Sequence, residues 1–217
     1  MERRAAIILV RHGITDDNQN NVFQGQAGRG LNRAGREQAE RVAKRLASAP
    51  VVAIYSSDLE RATDTAEIVA APHALPIDTD RELREVDVGT WTGLSQDEVR
   101  RRFSEEWTAW QSGLDVRRGG GETYEELGER LMRALLRISC AHDGGAVVAV
   151  SHGGAIRAVM QRLLGPGFSP EAVVPAENTS ITLLEPTGAE GFRVLVYNDT
   201  CHLEDTVLAR LAQRAGR

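Results

Sequence analysis

The chain has 217 residues, 41% of them hydrophobic and 26% charged, with 26 basic against 31 acidic residues and a net charge of -5 at pH 7. That length suits one α/β domain, spanning residues 1–217, with a sizeable core, and the acidic balance argues against a nucleic-acid-binding role. Cys140 and Cys201 are too few and too far apart for a disulfide framework or a zinc knuckle. The six apolar residues after Met1-Glu2-Arg3-Arg4 are too short for a signal segment, and no apolar run reaches the roughly 20 residues that cross a bilayer. A cytoplasmic protein is expected, with no membrane partner, as a monomer or homodimer.

Ala5 to Val10 reads as a buried strand, and it stops at Arg11-His12-Gly13. A long polar loop, Ile14 to Gly30, follows. Asn32 then caps a helix whose stripe is Ala39, Val42, Ala43 and Leu46. Val51 to Tyr55 is a second buried strand, and Ser57-Asp58-Leu59-Glu60 fits a capping box, which puts Arg61 in the first turn of a helix running to Pro72. A cation there opposes the helix dipole, a cost that a bound anion would offset. Pro76 to Asp78 suggests an edge strand, and Leu83 to Leu94 an irregular stretch. Ser95 caps a helix to about Trp110, and Thr123 caps another with Leu127, Leu131, Leu135 and Ile138 inward. The Gly- and Arg-rich segment between them, Gln111 to Gly121, is expected to be mobile.

Ala146 to Val150 repeats the opening arrangement, ending in Ser151-His152-Gly153-Gly154 before a helix from about Ala155 to Leu164. Two short strands, Ser180 to Leu184 and Phe192 to Tyr197, close the sheet, and the tail from Asp205 to Arg217 reads as helical or frayed. Strands alternating with helices imply an α/β fold, a three-layer α/β/α sandwich with a mostly parallel central sheet. Ligands bind such sheets beyond the carboxyl ends of the strands. If the three strands are neighbours, Arg11, His12, Arg61 and His152 converge there, and a phosphoryl group is the anion that two arginines and two histidines suit. No Walker-type lysine loop is present.

These residues resemble the histidine phosphatase superfamily, the phosphoglycerate-mutase-like enzymes. The resemblance rests on Leu9-Val10-Arg11-His12-Gly13, Asn18 with Gln24-Gly25, Ser56 to Ala66, Leu83-Arg84-Glu85 followed by Gly89, Trp91 and Gly93-Leu94, and Val150 to Gly154, with Asn178 to Ile181 further on. It implies that His12 is the nucleophile, passing through a phosphohistidine. Arg11, Arg61 and His152 would hold the phosphoryl oxygens, and Glu85 would be the general acid and base. Asn18, Gln24, Gly25 and Gly153 would complete the phosphate cradle, with Thr15 donating a hydroxyl. Neither a metal nor a cofactor is required, and the partner is a small phosphorylated metabolite. Ile14 stands where the family usually has Glu or Gln, and Ala27 to Gly30 replaces an Asp/Pro turn.

Cofactor-dependent phosphoglycerate mutases of the family carry longer inserts between the acid and the second histidine. Here the Glu85 segment also reads in the style of the phosphatase branch, so hydrolysis of a phosphomonoester is expected. A mutase and a silent phosphate-binding protein are the alternatives. Within the family, substrates include phosphoglycerate derivatives, sugar phosphates and α-ribazole phosphate. Arg100 to Arg102 and Arg117-Arg118 read as solvated runs, with a contact to a second acidic group on the substrate as the other reading. His202 could flank the pocket mouth. His73 and His142 read as surface residues, and Trp91, Trp107 and Trp110 as packing.

Overall fold

In the computed structural model, residues 4–165, 175–188 and 191–203 are described; the tail from Asp205 lies outside them. Six strands form one sheet in the order β3-β2-β4-β1-β5-β6. They are β1 (Ala6–Arg11), β2 (Val51–Ser56), β3 (Ile77–Thr79), β4 (Ala146–Ser151), β5 (Ile181–Thr187) and β6 (Gly191–Asp199). The first four are parallel, and β5 and β6 add an antiparallel hairpin at the β1 edge.

The apolar runs of β1 and β4 are continuous because both faces of the sheet are covered. Ile7, Leu9, Val147 and Ala149 point to one side, where they meet Leu127, Leu131, Leu135 and Ile138 of α6 (Tyr124–Cys140) and Ile156 and Val159 of α7 (Gly153–Leu164). Ile8, Val10, Val148 and Val150 point to the other, where they meet Val42 and Leu46 of α2 (Arg33–Leu46) and Ala62, Ala66 and Val69 of α3 (Glu60–Ala70). The period of two along the strands thus divides the core between two helical layers, as the three-layer reading requires. No helix among the described residues is long and apolar enough to cross a membrane.

Four local expectations are corrected. The polar loop after Gly13 contains a one-turn helix, α1 (Asp16–Gln19), closed by a reciprocal capping box between Thr15 and Asn18. The third helix begins at Glu60, after Leu59, rather than from a Ser57 cap. The expected cap residue is engaged elsewhere, Ser57 Oγ meeting His152, and the neighbouring Asp58 carboxylate pairs with Arg84. The helix expected from Ser95 to Trp110 is two, α4 (Gln96–Arg102) and α5 (Ser104–Gln111), broken at Phe103 (φ -131°, ψ 47°). The break leaves the Phe103 ring 6.3 Å from that of the fully buried Trp91, within a cluster that also holds Phe23, Trp107 and Trp110.

The fourth correction concerns Gln111 to Gly121, which is packed rather than loose. Its turn Arg118–Gly120 sits backbone to backbone on residues 87–91, where a Cβ on Gly119 would fall 2.5 Å from Val88 O and one on Gly121 would collide with Asp87 O. Gly119 adopts φ +58°, and its N–H donates to the Glu106 carboxylate at 2.9 Å. Glycine is therefore needed both for the conformation and for the close approach.

Candidate active site

Because β2, β4 and β1 lie side by side, their carboxyl ends deliver three polar cargoes to one place. Arg11 ends β1, pairing in register with Ser151, and His12 follows it. Arg61 stands in the first turn of α3 after β2, and His152 precedes α7 after β4. Arg11, His12 and Arg61 border, with Glu85, a cavity of about 500 Å³.

His12 is 2% exposed. Its Nδ1 donates to Gly13 O at 2.7 Å, an assignment that leaves the lone pair on Nε2. Burial, then Arg61 and Arg11, push its pKa well below the ordinary histidine value, so the ring is neutral at physiological pH. The strand end is pinned from behind: Asn178 Nδ2 donates to His12 O at 3.0 Å, and Thr179 N–H donates to Arg11 O at 3.0 Å. In front, Gly13 N–H donates to Thr65 Oγ1 at 3.0 Å.

His152 is fully buried, its ring centre 5.1 Å from that of His12. Burial, Arg61, His12 and Arg11 hold its pKa well below the ordinary value too. Nε2 lies 2.8 Å from Ser57 Oγ, which accepts from Leu59 N–H at 3.3 Å. With the serine donating to Nε2, the neutral ring carries its proton on Nδ1. Among the described residues that atom has no hydrogen-bond partner, which leaves it available to donate to an anion.

Both arginines are pulled down to about 10, chiefly by burial, and stay cationic at neutral pH. For Arg11 the next contributor is Arg157. Arg61, 1% exposed, donates to Gly25 O at 2.7 Å and Ala27 O at 2.5 Å, so it also organises the 25–27 turn. Arg11 Nη1 donates to Ala176 O.

Glu85 stands at the amino end of α7. One carboxylate oxygen accepts from Val86 N–H at 2.9 Å and Ala155 N–H at 3.0 Å, and the other from Gly154 N–H at 3.0 Å. A Cβ on Gly154 would collide with Glu85 Oε1, so glycine there is what lets the acid reach the helix. The backbone before it is held by Arg130, half-buried, which donates to the carbonyls of Glu82, Arg84 and Glu85 at 2.8, 3.2 and 3.3 Å and is itself fixed by the Glu122 carboxylate. Ser151 Oγ adds a bond to Leu83 O at 2.8 Å.

Arg11, His12, Asn18, Gln24, Gly25, Arg61, Glu85 and Gly153 all border the cavity; His152 does not, its buried ring standing 5.1 Å from that of His12. Thr15 does not border it. Thr15 caps α1, accepting from Asn18 N–H and donating to Gln24 Oε1 at 3.2 Å, so it supports two cavity residues from behind. Of the arginine runs, Arg100 to Arg102 are exposed and Arg117 pairs with Glu126. Arg118 departs from the solvated reading, being 3% exposed and on the cavity wall. His202 does not border the cavity; it is half-buried, with Nε2 3.2 Å from Thr179 Oγ1. His142 is half-buried against the Tyr55 hydroxyl.

Sequence reasoning passed over Ser57, Gly154 and Arg130. Gly154 had a readable signal, the second glycine after His152, whereas Arg130 is one arginine among many on an exposed-looking helix face. Among the described residues no group of three or more His, Cys, Asp or Glu could hold a metal ion.

An α/β/α sandwich with two neutral histidines, two arginines and a carboxylate at the strand ends defines a protein built for phosphoryl chemistry. The chain belongs to the histidine phosphatase superfamily (branch 1), whose model matches residues 7–200. It is 38% identical over 207 residues to phosphoglycerate mutase-like protein 4 of Arabidopsis thaliana, covering 93% of this chain and 88% of that one. It is 39% identical over 165 residues to the metal-independent phosphoserine phosphatase of the same plant, covering 72% and 68%. Among solved structures, a mycobacterial glucosyl-3-phosphoglycerate phosphatase superposes with a TM-score of 0.82 at 29% identity, covering 90% of this chain and all of that one.

Proposed function

We propose that the protein hydrolyses a small phosphorylated metabolite, a phosphomonoester, without a metal ion, through a phosphohistidine on His12. The observation that carries this is His12 itself: a neutral imidazole oriented through Nδ1 by Gly13 O, beside the cations Arg11 and Arg61 and sharing its cavity with a helix-held carboxylate. Nε2 attacks phosphorus while Arg11, Arg61, His152 Nδ1 and the Asn18 amide take the charge on the equatorial oxygens. The P–O bond to the alcohol breaks, and Glu85 gives its proton to the departing oxygen. Water then attacks the phosphohistidine as Glu85 takes one of its protons. The P–N bond breaks, and inorganic phosphate leaves with His12 neutral again.

Two relatives named as phosphatases support hydrolysis over transfer. The mutase-like relative keeps interconversion of phosphoglycerates as the second reading.

The test is hydrolysis of p-nitrophenyl phosphate by chelator-treated protein, with ³²P labelling of the enzyme. Wild type is expected to turn over and to label, and His12→Ala to do neither. Loss of activity on chelation, or labelling that survives in His12→Ala, overturns the mechanism. Interconversion of 2- and 3-phosphoglycerate at a rate near that of hydrolysis would favour the mutase instead.

A further inference from the structure

The two peptide planes that flank the His12 Cα are each held at both edges. In the plane between residues 11 and 12, His12 N–H donates to Ser151 O at 3.0 Å, and Arg11 O accepts from Thr179 N–H at 3.0 Å. In the plane between residues 12 and 13, Gly13 N–H donates to Thr65 Oγ1 at 3.0 Å. The His12 O of that plane accepts from Asn178 Nδ2 at 3.0 Å and from Thr179 N–H at 3.3 Å. Both carbonyls are thus fixed from one turn, residues 177–180, which leads into β5.

That turn is strained. Thr179 is fully buried and has φ +57°, a left-handed conformation that a β-branched residue rarely adopts. Such a conformation persists only where its surroundings enforce it. Two bonds do so at the side chain: Thr179 Oγ1 donates to Asn178 O at 2.8 Å, and His202 Nε2 lies 3.2 Å from the same oxygen. The hydroxyl has a single hydrogen, already given to Asn178 O, so its oxygen accepts from His202 Nε2–H. His202 stands in the turn Cys201–Leu203 after β6, which packs against α2, and its Nδ1 has no hydrogen-bond partner among the described residues. The Nε2 bond is therefore where the ring is anchored.

We propose that His202 is a positioning residue for His12, acting through the Thr179 hydroxyl. Its Nε2–H locks that hydroxyl, the locked turn keeps its left-handed backbone, and the turn holds the two peptide planes that aim the imidazole. The inference rests on His12 as nucleophile only for its consequence in turnover, where a small misalignment of the attacking atom is costly.

The experiment compares wild type with His202→Ala, His202→Gln, Thr179→Val and the double variant His202→Ala/Thr179→Val. Exchange of the His12 and Gly13 amide hydrogens, read by NMR, reports the placement without any turnover. His202→Ala should speed it about tenfold or more relative to the Leu9 amide in the same strand. His202→Gln, whose amide nitrogen can replace the imidazole donor, should bring it back to within about threefold of wild type. The kcat for p-nitrophenyl phosphate should fall and recover in the same way, with the Kd for inorganic phosphate held within about twofold, because the clamp stays and only the attack geometry moves. The double variant should lie within about twofold of Thr179→Val, since the histidine acts through that hydroxyl. Exchange unchanged in His202→Ala or in Thr179→Val overturns the proposal, as does a kcat that stays put while exchange rises. So does His202→Gln without recovery, phosphate affinity lost in step with kcat, or losses that multiply in the double variant. Thr179→Val keeps the result readable if His202→Ala does not fold. A wild type that neither hydrolyses nor labels would sink the phosphatase reading and leave amide exchange to decide the positioning.

Discussion

At the scale of residues, the site depends on keeping histidines uncharged in a cationic place. His12 and His152 have pKa values pushed well below 6.5, by burial first and by the arginines second, and burial lowers that of the half-buried His202 as well. The unfolded chain binds protons at these positions as pH falls through 6.5, while the folded chain does not. Stability is therefore full above that pH and is lost below it, by up to about 1.4 kcal/mol per pH unit for each such group. Thermal unfolding between pH 7 and 5 should show this slope, and His12→Asn, whose amide can replace the Nδ1 donor to Gly13 O, should flatten it by roughly a third to a half. An unchanged slope would mean that His12 titrates alike in both states. Thr15, expected to donate a hydroxyl to the phosphate, stands outside the cavity lining. Its hydroxyl caps α1 and supports Gln24. Thr15→Ala should cost about 1 kcal/mol in chemical denaturation, the usual size of a lost cap, and Thr15→Ser should restore most of it.

At the scale of elements, the amino end of α7 does two jobs: it follows His152 and it holds Glu85. Gly154→Ala drives a methyl into the carboxylate while leaving His12 and Arg61 untouched. Its effect should therefore follow the need for a general acid. We expect a fall of roughly 100-fold or more in kcat for alkyl phosphates, whose alcohols are poor leaving groups, and a much smaller fall for p-nitrophenyl phosphate. Arg130→Met, which frees the three carbonyls before the acid, should show the same asymmetry more weakly. Equal losses on both substrate types would mean general collapse of the site. The elements were legible where their pattern is local, in the period-two strands, the Leu127-Leu131-Leu135 stripe and the Asn32, Ser95 and Thr123 caps. They were illegible where a distant partner decides. Ser57 and Glu60 match a capping box, yet His152 claims the Ser57 hydroxyl and Arg84 the Asp58 carboxylate beside it. The glycine-rich 111–121 segment looks loose only until residues 87–91 supply the backbone it packs on.

At the scale of the whole molecule, what matters is sheet order, which no local pattern contains. Placing β4 between β2 and β1 turns three separate strand ends into one cavity, and the chemistry at those ends was readable one strand at a time. The same order gathers Arg11, Arg61, Arg118 and Arg157 around a single space in a chain whose net charge is -5. The local field, rather than the molecule's overall charge, should govern anion binding, because surface charges are screened over about 8–10 Å while a cavity is not. Inorganic phosphate at a hundred times its Kd should stabilise the fold by about 2.7 kcal/mol, which for a chain of this size is a rise of roughly 5–10 °C in Tm. Arg61→Met should lose most of that rise. Arg33→Met, at a fully exposed arginine paired only with Glu37 on the surface, should keep it. Both variants remove one positive charge, so net charge cannot explain a difference between them. Each shift is read against the same variant without phosphate, so the carbonyls of Gly25 and Ala27 that Arg61→Met leaves without a donor cancel out. Equal shifts in the two variants would place the bound anion on the general surface and not at the strand ends.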